Sequence, residues 1–156
     1  MMEICLQKVG SNEREVLFRL LQYSLFEESA TDQNSMGEDG LFAYPWFDCY
    51  FTEKEREAYF IREAGTGKLL GFVMINTCLQ RTTNGHSIAE FMVLPGYRRR
   101  KIGMRAAVQC FEMHPGVWEV SPADGSEGAF QFWKNVIGEY AGEPVRYEDG
   151  IFLFCK

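Results

Sequence analysis

The segment Ile88–Phe111, IAEFMVLPGYRRRKIGMRAAVQCF, constrains the fold most. Ile88 to Leu94 is an apolar, β-prone run and suits a buried strand. Pro95-Gly96 breaks it. Four consecutive cations follow, Arg98, Arg99, Arg100 and Lys101, and Gly103 comes two residues later. From Ile102 the spacing turns helical, with Ile102, Ala106, Ala107, Cys110 and Phe111 on one face. A loop feeding straight into a helix N-terminus can wrap its amides around a phosphate or pyrophosphate, because the unpaired N–H groups there carry partial positive charge. The cationic side chains add to that field, and Gly103 lets a ligand or a neighbouring strand come close to the backbone. The competing reading is a basic turn that simply faces water.

The run YRRRKIGMRAA resembles the acyl-CoA pyrophosphate loop of the GNAT superfamily of N-acetyltransferases. That signature is Arg/Gln-x-x-Gly-x-Gly/Ala after a strand and a proline turn. Arg98 falls on its first position and Gly103 on its second glycine, while Lys101 replaces the first glycine. The replacement matters little where only an amide is supplied, and more where positive φ is demanded, which disfavours lysine. The resemblance implies acetyl-CoA as acyl donor. It implies that Arg98, Arg99, Arg100, Lys101, Ile102, Gly103 and Met104 hold it. It also implies that backbone amides around Phe91, Met92 and Val93 contact the thioester carbonyl.

A chain of 156 residues is expected to form a single domain, 1–156, with a proper core. No apolar run approaches the roughly 20 residues that cross a membrane, and no charged-then-apolar leader pattern opens the chain. The five cysteines are scattered without a C-x-x-C pair, and there are only two histidines. That argues against a disulfide framework or a structural zinc site, so no metal and a cytoplasmic location are expected. The net charge is −6, yet five of the sixteen basic residues cluster between Arg98 and Arg105. Such a chain is a poor general nucleic-acid binder and a plausible binder of one compact polyanion. Its acidic remainder favours a cationic acceptor such as an amine.

In order, Met2–Val9 reads as a strand. Asn12-x-x-Glu15 reads as a capping box before a helix whose stripe is Val16, Leu17, Leu20, Leu21 and Leu25. Glu27–Gly40 is polar and reads as a loop. Leu41–Phe51, LFAYPWFDCYF, is densely aromatic, with a second short helix expected there. Its rings read either as core or as part of an acceptor pocket. Glu57–Glu63 and Lys68–Thr77 form a hairpin. The central strand at Ile88, the helix from Ile102 and a strand at Val117–Ser121 follow. Ser126 caps a helix over Glu127–Ile137, and Val145–Tyr147 pairs with Ile151–Phe154. The order β-α-α-β-β-β-α-β-α-β-β makes an α/β fold. The GNAT resemblance covers essentially the whole chain and implies a mixed, mostly antiparallel central sheet flanked by helices. The final hairpin could pair across a homodimer.

Many GNAT proteins carry Asn-x-x-Ala-x-x-Phe/Leu-Tyr in the late helix, where the tyrosine protonates the departing thiolate. Here the match is Ser126-x-x-Ala129-x-x-Phe132-Trp133. Ser126 keeps a hydrogen-bonding group toward the cofactor, whereas Trp133 supplies contact with it but no useful acid. Acyl transfer to an amine also needs a base, usually a carboxylate. Glu90 on the central strand and Glu119 on the next are the candidates, because a glutamate inside an apolar strand is costly unless paired or solvated. The reading is therefore an acetyl-CoA-dependent N-acetyltransferase acting by direct transfer on a small-molecule or peptide amine. The alternatives are a non-catalytic acyl-CoA-binding module and, last, a nucleic-acid contact through Arg98–Lys101.

Overall fold

Period-two burial makes the sheet and period-3.6 burial makes the helices that cover it. The computed structural model describes residues 2–156. Its elements are β1 (Ile4–Lys8), α1 (Arg14–Asp32), β2 (Glu57–Glu63), β3 (Leu69–Asn76), β4 (His86–Val93), α2 (Ile102–Met113), β5 (Val117–Val120), α3 (Glu127–Ala141), β6 (Arg146–Glu148) and β7 (Ile151–Cys155). The strands form one seven-stranded sheet in the order β1-β2-β3-β4-β5-β7-β6. Every neighbouring pair is antiparallel except β4–β5.

β3 shows why the sheet must be covered twice. Phe72 and Met74 pack with Leu17, Leu21 and Leu25 of α1. Val73 and Ile75 pack on the other face with Ala107, Cys110 and Phe111 of α2 and with Val136 and Ile137 of α3. Each of these four β3 side chains is fully buried. At about 25 cal/mol per Å² of apolar area removed from water, burial on both faces makes β3 the strand least able to tolerate a polar substitution.

Two expected elements differ. The second helix is a single 3-10 turn, Asp48–Phe51. Pro45 and the bulky rings leave no room for a regular helix, because Phe42, Phe47 and Tyr50 are buried against α1. The Gln22 amide clamps this segment, donating to Phe42 O at 2.9 Å and accepting from Phe42 N at 2.8 Å. Secondly, α1 does not end near Leu25 but continues to Asp32, with Gln33 in the left-handed region at φ 64°. Glu27–Asp32 is polar because its inner face lines a cleft rather than a core. At the other end, Gly10 N donates to Glu13 Oε1 at 3.3 Å, so the cap sits two residues earlier than Asn12-x-x-Glu15.

β4 and β5 pair only from His86–Trp118 to Ile88–Val120. β5 then ends while β4 runs on to Val93. At the parting point β4 carries a bulge, since Met74 pairs with Glu90 but Ile75 pairs with Ile88. Bulges bend a strand and re-aim its side chains. Ile88 and Phe91 therefore face α2 and α3, while Ala89 and Met92 face α1.

Candidate active site

The parting of β4 from β5 leaves one edge of β4 unpaired. Leu94 N donates to Leu70 O on the β3 side at 2.8 Å, and Val93 O accepts from Arg98 Nε on the other side at 2.7 Å. Backbone groups alternate along a strand, so Phe91 and Val93 direct their N–H groups to the free edge. Met92 directs its own toward β3 and its side chain into the α1 core, which removes its amide from the expected carbonyl contact.

The free edge opens into a cleft of about 820 Å³ bounded by α1, β4, the Arg98–Lys101 loop, α2 and α3. The first helical bond of α2 runs from Arg105 N to Lys101 O, so the N–H groups of Ile102, Gly103 and Met104 lack helical acceptors. Arg99 and Lys101 both take positive φ, 66° and 60°. A loop alternating into the left-handed region turns its amides toward one side, as an anion cradle requires. Lys101 therefore does adopt the conformation that its glycine counterpart adopts freely.

The loop side chains divide. Arg98, Arg99 and Lys101 line the cleft, with Gly103 and Met104 at the start of α2. Arg98 is also a strut, since its guanidinium bonds both oxygens of Glu27 on α1 at 2.7 and 3.1 Å as well as Val93 O. The Arg98 hydrogen bonds hold the Glu27 carboxyl below its ordinary value, against some opposing burial. Arg100 instead lies over the Tyr97 ring, and the Ile102 side chain is buried with Ile61 and Ala106, so these two offer the cleft no side chain. Gly103 makes room for a ring rather than a ligand, because a Cβ there would lie 3.0 Å from Phe132 Cε1.

Opposite the loop stands Glu90. It lies between Tyr44 and the acidic end of α1 and keeps a face on the cleft. Burial, then the charges of Glu28 and Asp32, push its carboxyl up to about 8, and the Tyr44 hydroxyl offsets part of this. Glu28 is also raised, by burial first and then by Asp32. Ser24 Oγ donates to it at 3.4 Å. Glu119 is different. It is 3% exposed, and its carboxylate accepts from the backbone N–H groups of Gln80, Arg81 and Thr82 and from Thr82 Oγ1 at 2.7–3.0 Å. Burial raises it, but these donors outweigh burial and hold it below its ordinary value. A carboxylate saturated by four donors and placed outside the cleft lining anchors the β3–β4 loop, which removes Glu119 as a base.

On α3, Ser126 lines the cleft but its Oγ is engaged, accepting from Ala129 N at 3.1 Å as the helix cap. Trp133 is 6% exposed and meets Phe91 edge-on with ring centroids 5.0 Å apart. Tyr140 packs on Phe111 and Phe154, away from the cleft. Glu27 and Glu28 line the cleft and were missed as site residues from sequence. Continuing the α1 period past Leu25 brings Glu28 one turn beyond Ser24, and that was the available signal.

Residues 22–116 match the Acetyltransferase (GNAT) family. The chain belongs to this family. Membership makes the protein a GNAT N-acetyltransferase that draws on a CoA-based acyl donor. Among curated proteins none matches it. Solved structures share the fold at low identity. A domain from Methanocaldococcus jannaschii DSM 2661 superposes with TM-score 0.65 at 11% identity, covering 100% of both chains. The E. coli protein YhhK, bound to coenzyme A, gives 0.57 at 16%, covering 100% of this chain and 99% of its own. An aminoglycoside acetyltransferase from an uncultured soil metagenomic sample, in complex with sisomicin, gives 0.59 at 14%, covering 93% and 94%. In this GNAT enzyme no helix among the described residues is long and apolar enough to cross a membrane.

Proposed function

We propose that this enzyme transfers an acetyl group from acetyl-CoA to a primary amine by direct attack in a ternary complex, with Glu90 as the general base. The observation that carries the reading is the position of Glu90. It is a cleft-facing carboxyl raised to about 8, next to the free edge of β4 and facing the acidic end of α1. A base poised near the working pH is what proton removal from an ammonium requires.

The chain's residues divide the work. The N–H groups of Ile102, Gly103 and Met104, with Arg99 and Lys101, hold the pyrophosphate. Phe91 and Val93 N–H groups on the free edge stabilise the negative charge that develops on the carbonyl oxygen. Glu27, Glu28 and Asp32 draw in a cationic acceptor, and Glu90 takes its proton. No tyrosine of α3 reaches the cleft, so no acid is assigned to the departing sulfur. A thiol with an ordinary pKa near 8.5 leaves as thiolate at modest cost.

The test is mass-spectrometric detection of acetylated product with acetyl-CoA and a panel of polyamines, aminoglycosides, amino acids and peptides. Turnover of at least one cationic amine, lost in Glu90→Gln, is expected. Tight acetyl-CoA binding with no product from any acceptor would favour a binding-only protein and overturn the proposal.

A further inference from the structure

The chain has only two histidines, His86 and His114, and the fold brings them together. Their rings stack with centroids 3.9 Å apart and planes within 12°. The Glu57 carboxylate closes the group, with its oxygens 2.9 and 3.1 Å from His114 Nε2. The three residues come from the starts of β2 and β4 and from the end of α2. They lie outside the acyl-transfer cleft. α2 has 12 residues and carries the CoA loop at its other end, so the group stands about 18 Å from that loop at about 1.5 Å per residue.

We propose that Glu57, His86 and His114 form a binding site for a divalent transition metal of the zinc class. Two imidazoles and one carboxylate are a ligand set that zinc accepts, with a fourth position left to water. One donor atom from each residue lies within 4.8 Å of the others. Tetrahedral bonds of about 2.1 Å space ligand atoms about 3.4 Å apart, so closure brings the donors together by up to about 1.5 Å and turns one imidazole out of the stack, because the in-plane lone pairs of parallel rings do not converge. The side chains have room for that rotation, with His114 26% and Glu57 16% exposed.

Outer contacts already orient the group. The Tyr59 hydroxyl donates to Glu57 Oε1 at 2.5 Å, and the Trp118 indole N–H fixes the backbone at His114 by donating to its carbonyl oxygen at 2.9 Å. Ligand carboxylates are characteristically held by such a second hydrogen bond, as Glu57 is by Tyr59. The site clips two strands to the end of α2. It departs from the metal-free expectation drawn from scattered cysteines, because its ligands are not cysteines and are far apart in sequence.

The test uses untagged, chelator-treated protein titrated with Zn²⁺ by calorimetry and with Co²⁺ by visible absorption. The expected result is one ion per chain at micromolar affinity or tighter. Co²⁺ should give the visible bands of four-coordinate geometry without a thiolate charge-transfer band. His86→Gln and His114→Gln should each weaken binding by more than the about 10–100-fold that an outer contact is worth. Glu57→Gln, which keeps both rings, should weaken it at least about tenfold. Melting of each variant in chelator, compared with wild type, confirms that it folds. Absence of binding to wild type at about tenfold molar excess of Zn²⁺ overturns the proposal. So does binding that survives in the double histidine variant or shows the thiolate band, which would place the ion on the exposed Cys5, Cys78 or Cys155.

Discussion

Replacing Glu90 by glutamine should make the protein more stable and less active, with a pH signature for each effect. The carboxyl sits near 8 in the fold against an ordinary 4.5. Its folded-state pKa is raised, so the folded state binds the proton more tightly. That contribution is fully present below about pH 4.5 and is lost as pH rises through about 8. At about 1.4 kcal/mol per unit, the ionised carboxylate costs about 5 kcal/mol well above pH 8 and about 3 kcal/mol at pH 7. Glutamine fills nearly the same space and carries no charge. Urea unfolding of both proteins at about pH 5, 7 and 9 measures the difference from midpoints at matched m-values. The gain should be under about 1 kcal/mol at the lowest pH and grow by several kcal/mol to the highest. In parallel, wild-type turnover should rise with pH on a limb centred near 8. The variant should lose that limb and about 10²–10⁴ in rate, the usual worth of a positioned base. A stability difference that is flat across pH would refute the buried-carboxylate argument, and wild-type turnover by the variant would refute the base.

Other substitutions test the rest of the frame. Lys101→Gly relieves a lysine at φ 60° and should stabilise by about 1 kcal/mol in melting, while calorimetry should show weaker acetyl-CoA binding because a cleft-lining cation is lost. Gly103→Glu places a Cβ 3.0 Å from the Phe132 ring and a negative charge at the anion cradle, so calorimetry should show acetyl-CoA binding weakened by at least about tenfold. Glu119→Ala strips four hydrogen bonds from the loop at Gln80–Thr82 and should cost about 2–4 kcal/mol in urea unfolding. Because its folded-state pKa is depressed, that penalty should be full above about pH 4.5 and fade as pH falls through the folded value. Arg98→Ala breaks a half-exposed pair with Glu27, so unfolding should register no more than about 1 kcal/mol, whereas acetyl-CoA affinity should fall as the loop loses its tie to α1.

The order of elements was legible because each core stripe is local. Leu17–Leu25 on α1, Ile102–Phe111 on α2 and the apolar strands state their periods within a few residues. The strand, turn, cationic loop and helix proposed to hold the pyrophosphate were legible for the same reason, since they follow one another in sequence. α1 was read too short because Glu27–Asp32 is helical without being apolar, and a cleft face has no hydrophobic period.

Three features were decided only in the tertiary structure. Strict alternation would put Glu90 on the same face as Ile88. The bulge where β4 leaves β5 turns it to the α1 side. Glu119 stood behind Glu90 as a second candidate base in sequence, yet four donors from a distant loop make it an anchor. Glu57, His86 and His114 carry no motif at all, and only sheet pairing and the length of α2 bring them together. Sequence states what each segment can bury, because burial patterns are short-range. Which charges meet depends on register and bulges, which are set by pairing between strands far apart in the chain.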